Sequence, residues 1–284
     1  MEFIDTQDVS EALEALDEHG EDATVLAGGT DVVVQMLAGD IRPAVLVHIR
    51  PLAELGGITP DDRTEIGALT THWELGTNST IHGHHRALAE AALTVGGRQT
   101  QNVGTIAGNV VNASPAADLL PALLVGNAQV AAASSSGRRS LPLEEFLVDR
   151  KRTALAPNEL VTSVSLEPPG PRTGQTYLKV GRRGAMEVAL VGLAALVQLG
   201  EGDAIADARI ALCSVGPKAF RVREAEAVLI GTRAEEVAVA EAGSLLQGAA
   251  RPIDDVRSTA RYRSRILPAL LASAVSTCVD RARS

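Results

Sequence analysis

Between Glu167 and Gly174 the chain reads Glu-Pro-Pro-Gly-Pro-Arg-Thr-Gly, and no helix or strand continues through such a stretch. Each proline removes an amide donor and fixes φ, and each glycine carries backbone entropy that regular structure would have to give up. The 284 residues therefore divide into two units, 1–170 and 175–284, each long enough to bury a core. In the first, residues 6–19 have helical spacing, with Val9, Ala12, Leu13 and Leu16 on one face and Asp8 or Ser10 as the cap. Strands are expected at 24–27 and 44–49 around a short helix at 32–37, a small parallel β–loop–α–β unit. A second subdomain opens near residue 57. It has a strand at 65–67, a helix start at Thr70-Thr71, a helix from Arg86 to Val95, hairpin arms at 128–133 and 138–141, and a strand at 161–166. Past the break, 188–199 and 205–213 read as two long strands joined at 200–203, although an aliphatic run alone does not exclude helix for the first. Helical periodicity marks 219–230, 234–247 and 262–280, so the expected class is α+β.

Charge and cysteine content narrow the chemistry. Net charge is -9 and no basic stripe is present, which argues against nucleic-acid binding, because phosphate affinity needs clustered Lys and Arg. No apolar run reaches the ~18–20 residues of a membrane span. Met1-Glu2-Phe3-Ile4-Asp5 lacks the blocks of a signal peptide, and a cytoplasmic location is expected. Cys213 and Cys278 are the only cysteines, so an iron–sulfur or zinc site built from four cysteines is excluded. If the protein takes part in redox chemistry, metal centres belong to other chains. His82, His84 and His85 read either as metal ligands or as a solvated loop before the Arg86 helix; no nearby cysteine completes a site. Arg182-Arg183 reads as an anion or partner-carboxylate contact, or as a solvated turn. Residues 149–152 read as an exposed loop, and no Ser–His–Asp arrangement is visible.

Two glycine-rich segments remain. Ala27-Gly28-Gly29-Thr30-Asp31 follows a strand and opens a helix, where glycines admit close approach to the backbone and amides favour pyrophosphate oxygens. It is neither G-x-G-x-x-G nor followed by GK[ST], and a plain βα turn also explains it. Gly104-Thr105-Ile106-Ala107-Gly108-Asn109 is the second, with Asp118 downstream. Two such loops could clamp a long diphosphate ligand while Asp118 accepts from a ribose hydroxyl or adenine amine. Two tight turns and a helix-capping Asp ahead of Leu119-Leu120 account for the same residues.

Taken in order, Ala-Gly-Gly-Thr-Asp (27–31), Gln99-x-x-Asn102-x-Gly104-Thr105-Ile106-Ala107-Gly108-Asn109, Ala113-Ser114-Pro115-Ala116-Ala117-Asp118 and Tyr177-x-Lys179 closely resemble the flavoprotein subunit of the xanthine dehydrogenase / carbon monoxide dehydrogenase family of molybdenum hydroxylases. The likeness runs from Phe3 to about Leu271 and is most specific over Gln99 to Pro121. It implies a vanillyl-alcohol-oxidase-type FAD-binding domain in two subdomains, then a small C-terminal α+β domain of sheet and helices. By the resemblance, Val25, Leu26, Ala27, Gly28, Gly29, Thr30, Asp31 and Val32 hold the FAD diphosphate. Thr105, Ile106, Ala107, Gly108 and Asn109 approach the pyrophosphate and flavin side, and Asp118 binds the adenosine portion. Val161 packs near the adenine or ring system, and Lys179 reaches the isoalloxazine. Ala107 stands where the family most often has glycine, tolerable only if its φ is negative. Val95 stands where some relatives place an aromatic beside the flavin. The resemblance further implies a large molybdenum-cofactor subunit and a small subunit with two [2Fe–2S] clusters, assembled as a dimer of heterotrimers. The flavin would pass their electrons to NAD+, a quinone or oxygen. Competing readings are a stand-alone FAD oxidase or reductase of the vanillyl-alcohol-oxidase type, and a flavin-free scaffold of the same fold.

Overall fold

In the computed structural model, which describes residues 1–184 and 186–284, the chain builds three sheets of three, five and four strands and a short two-stranded ribbon. The first is parallel, with Val45–His48 at its centre between Glu2–Asp5 and Ala23–Leu26. Helix Val9–His19 packs Ala12, Ala15 and Leu16 into the core, and Asp8 caps it by accepting from the Glu11 amide at 3.0 Å. Asp8, not Ser10, is thus the cap. Strand Ala23–Leu26 hands the chain through Ala27–Asp31 to helix Val32–Ala38.

The second sheet is antiparallel, in the order Ile58–Thr59, Thr64–Gly67, Leu160–Leu166, Gln129–Ser134, Gly137–Pro142. Its last strand in sequence closes the middle, so the subdomain is complete only when residue 166 has been placed. Six helices between His72 and Val125 fill the long connection. Two of them depart from the sequence expectations. The three-histidine segment is helical, Ser79–His84, because Asn78 caps it by accepting from the amides of Thr80 and Ile81. The glycine-rich 104–109 segment is mostly helix, Ile106–Asn112, capped by Thr105, whose hydroxyl accepts from the Gly108 amide at 3.1 Å.

The third sheet, Thr173–Val180, Val191–Leu199, Ile205–Cys213 and Phe220–Arg221, is an antiparallel meander. Ala194, Leu196, Ala211 and Cys213 face the first domain, while Leu193, Ala195, Val197, Ile210 and Leu212 face helices Arg223–Leu229, Glu236–Ala249 and Ala260–Arg283. A strand covered on both faces needs apolar residues at consecutive positions, which is why its sequence shows no alternation. Each fully buried aliphatic side chain there contributes roughly 1.5–3 kcal/mol. The two domains are joined by Glu90 on helix Arg86–Thr94. One carboxylate oxygen accepts from the Tyr177 amide and the Thr176 hydroxyl, both at 3.0 Å, and the other pairs with Arg281 at 2.7 Å.

Candidate functional site

A cavity of about 940 Å³ runs along the junction of both subdomains and the C-terminal domain. Its walls include Val25, every residue from Ala27 to Val32, Val95, Thr105, Ala107, Gly108, Asn109, Asp118 and Val161. Three expected residues stand back from it. Leu26 uses its carbonyl on the Ile49 amide, Ile106 is fully buried in the core, and Lys179 acts on the wall through Asp118.

The loop from Gly28 to Asp31 is shaped for an anion. Its amides meet no backbone acceptor among the described residues, and Gly29 has a φ of +71°, a left-handed position that favours glycine and of the kind found in anion-binding turns. Gly28 is required for a different reason: a Cβ there would fall 1.8 Å from the Val103 carbonyl oxygen. That glycine lets the loop sit against helix Arg98–Val103. Asn112 ties the two loops together by donating from Nδ2 to Asp31 Oδ1 at 3.0 Å. Burial raises the Asp31 carboxyl above its ordinary value, against the pull of Lys151 and the Asn112 bond.

The second loop does not present a comparable run of amides. Ile106 donates to the Thr70 carbonyl, Ala107 to Ala68, and Gly108 to its own Thr105 cap. It contributes close approach instead, through Gly108, and a side chain, Asn109, whose buried Oδ1 finds no protein donor. Ala107 lies inside a helix and is absent from the positive-φ positions, so its methyl requires no reshaping of the loop. His72, which the sequence reading passed over, also lines the cavity. It is 3% exposed, burial holds it down to about 4, and its Nδ1 is unpaired. A neutral imidazole is therefore built into the wall. The only sequence cue was its place two residues after Thr70, at the start of a capped helix.

Asp118 corrects the assignment made from sequence. It caps nothing, since it makes no side-chain bond to the following helix. One carboxylate oxygen accepts from the Tyr177 hydroxyl at 2.6 Å and the other from Lys179 Nζ at 2.8 Å. Lys179 also donates to the Thr94 carbonyl at 2.9 Å, next to Val95 and Gly96 on the wall. Asp118 and Lys179 are therefore one ion pair, with Asp118 on the cavity wall and Lys179 behind it. Burial raises the Asp118 carboxyl more than Lys179 and Tyr177 lower it, and burial raises the Tyr177 phenol well above its usual range. Cys213 lies beneath Tyr177 at 3.9 Å, its thiol pushed up to about 12 by burial, too high for a nucleophile.

The remaining sequence candidates separate. His82 bonds the Gly76 carbonyl at 2.7 Å, and buried His85 bonds the Thr64 hydroxyl at 2.9 Å, its imidazole lowered to about 4 by burial. These are structural contacts, and no group of metal-competent side chains occurs among the described residues. Asp149 and Arg152 flank an exposed turn. No helix of the described residues is long and apolar enough to cross a membrane.

A nest of free amides, a glycine approach and unpaired buried polar atoms around one elongated cavity define a dinucleotide-cofactor module, and the donor set fits the diphosphate and polar edges of FAD. The sequence pattern of the FAD binding domain in molybdopterin dehydrogenase matches residues 1–169, and that of the CO dehydrogenase flavoprotein C-terminal domain matches residues 176–278. The chain is 32% identical over 283 residues to the 6-hydroxypseudooxynicotine dehydrogenase complex subunit alpha of Paenarthrobacter nicotinovorans, covering 99% of this chain and 95% of that one. It is 33% identical to the xanthine dehydrogenase FAD-binding subunit of Escherichia coli O157:H7, covering 72% and 70%. It superposes on carbon monoxide dehydrogenase from Hydrogenophaga pseudoflava with a TM-score of 0.95 at 28% identity, covering 99% and 98%. The protein belongs to the FAD-binding subunits of the xanthine dehydrogenase / carbon monoxide dehydrogenase molybdenum hydroxylase family, and so to an oxidoreductase complex.

Proposed function

We propose that this chain is the electron-relay subunit of a heterotrimeric hydroxylase, taking electrons from [2Fe–2S] clusters in a small partner while a large molybdenum subunit oxidises the substrate. The observation that carries it is the cavity itself: it offers unpaired backbone amides and orienting side chains, and its described lining holds no cysteine. Gly28 to Asp31 would hold the diphosphate, Gly108 and Asn109 its approach, and Val95, Val161 and the Asp118–Lys179 pair the remaining walls. FAD, when bound, supplies the one- and two-electron chemistry that joins the clusters to an acceptor. The chain's residues bind it, exclude water and fix its orientation. Acceptors of this reading are NAD+, a quinone or oxygen, and the assembly is a dimer of heterotrimers in the cytoplasm. Only two cysteines are available, and both are buried, so cluster ligation falls to the partner.

Affinity purification of this chain from its native source, with mass spectrometry and metal analysis, tests the reading. Molybdenum, iron and two partner chains should accompany it. A stable homo-oligomer free of both metals would favour the stand-alone oxidase instead.

A further inference from the structure

Residues two apart on a strand point to the same face of a sheet. Tyr177 and Lys179, on strand Thr173–Val180, therefore share a face, and both reach Asp118 in the first domain. The Lys179 ammonium takes Oδ2 at 2.8 Å, and the Tyr177 hydroxyl takes Oδ1 at 2.6 Å. A lysine supplies a compact charge on a flexible stem and does not by itself fix the plane of a carboxylate. The phenol is different: its ring is rigid, it is buried, and its hydroxyl has one proton to give. Burial keeps that proton in place by raising the phenol well above its usual range. Two donors on two oxygens hold both ends of the carboxylate.

The sheet is cut to fit that hydroxyl. Gly192, on the neighbouring strand, pairs with Lys179 on one side and with Cys213 on the other. A Cβ at Gly192 would fall 2.4 Å from the Tyr177 hydroxyl oxygen and 2.5 Å from Cys213 Sγ. Glycine inside a strand weakens it, and here it leaves the socket from which the hydroxyl reaches Asp118. The segment that carries Asp118 is held by the same domain, since the Ser214 amide donates to the Pro115 carbonyl at 2.7 Å. Asp118 lines the cavity, whereas Tyr177 is not among the lining residues. A carboxylate has about four acceptor sites. Tyr177 and Lys179 occupy two, which leaves acceptor capacity for a ligand in the cavity.

We propose that Tyr177 is a positioning residue for the cofactor: its hydroxyl fixes the Asp118 carboxylate so that the remaining lone pairs accept from a hydroxyl or N–H of FAD. Docking of the C-terminal domain thereby becomes part of the cofactor site. This rests on the flavin reading above, and the effect of Tyr177 passes through Asp118 alone.

The test uses the complex with its native partners, stripped of flavin by dialysis against chaotropic salt. It compares the natural protein with Tyr177→Phe, Asp118→Ala and the double variant; Asp118→Leu replaces the alanine variant if that one does not fold. FAD is titrated back and its dissociation constant is read from flavin fluorescence, well below the thermal midpoint of each flavin-free form. Tyr177→Phe should weaken FAD binding by about tenfold, the scale of one hydrogen bond to a charged group, and loss of the Asp118 carboxylate by at least as much. Once that carboxylate is gone, Tyr177→Phe should change the affinity by less than about twofold, because the two side chains act as one unit. Natural affinity in Tyr177→Phe, natural affinity without the Asp118 carboxylate, or an equal loss from Tyr177→Phe in both backgrounds overturns the proposal; the last would make the hydroxyl merely structural. A natural complex that neither carries FAD nor takes it up sinks the function reading itself.

Discussion

Replacing Lys179 with methionine leaves the Asp118 carboxylate with only Tyr177 as a partner. The two side chains of the pair are 11% and 8% exposed, so water screens neither. Breaking a buried pair from one side costs about 3–5 kcal/mol, because the remaining charge stays desolvated. Against a usual total of about 5–15 kcal/mol this is a large fraction. At about 2–4 °C per kcal/mol for a chain of this size, the thermal midpoint should fall by roughly 6–20 °C. Adding Asp118→Asn removes the stranded charge while keeping an amide oxygen for the Tyr177 hydroxyl, and should recover much of the loss. The pH dependence has a definite sign. Asp118 is raised in the folded chain, so folding favours its protonated form; the cost of the charged carboxyl is present in full above the folded value and vanishes as pH falls to the unfolded one. Removing Lys179 widens that window upward. The gap between natural protein and Lys179→Met should therefore shrink as pH drops from neutral toward about 4. Thermal melts by circular dichroism across pH would measure it. A single variant melting within about 2 °C of the natural protein at neutral pH, or a double variant no better than the single, would refute the reasoning.

Gly28→Ala should destabilise the chain and lose flavin, because its Cβ would meet the Val103 carbonyl; Gly83→Ala, with open space around it, should change stability by no more than about 1 kcal/mol. Urea melts and flavin content read both. Burial pushes the Glu90 carboxyl up, but Arg281, the Tyr177 amide and the Thr176 hydroxyl outweigh it and hold the group below its ordinary value. Its stabilisation is present above the unfolded value and lost as pH falls through the folded one. Glu90→Gln should therefore flatten the acid side of a pH–stability curve, and an unchanged curve would count against the interdomain role. The isolated chain should hydroxylate no substrate of the complex, which a turnover assay with and without partners would show.

Much of the fold was legible because periodicity is a local property. Residues 205–213 form a strand with the expected bounds, Ile205–Cys213, since hydrophobic content, length and the preceding glycines agree. Helices were lost where a glycine or polar run masked the cap. Gly108 and Gly83 look like loop residues until Thr105 and Asn78 supply the helix start. In the site, the first glycine loop was readable as a strand-to-helix turn, and it lines the cavity. The reason for Gly28 was not, because the carbonyl it makes room for lies on another segment. Asp118 and Lys179 were both singled out and then assigned to opposite ends of the ligand. They are 61 positions apart, and nothing local says that one strand of the second domain brings a lysine and a tyrosine to the same carboxylate. His72 carried no motif, and only the cavity gives it a setting.

The central claim is that this cavity holds FAD noncovalently, and the absorbance spectrum of the chain purified with its native partners tests it most directly. One flavin per chain is expected, and acid precipitation should release it intact into the supernatant, because the described lining holds no cysteine and its one histidine, His72, is 3% exposed in the wall. A complete complex without flavin absorbance, or a flavin that remains with the precipitated protein, would contradict the account.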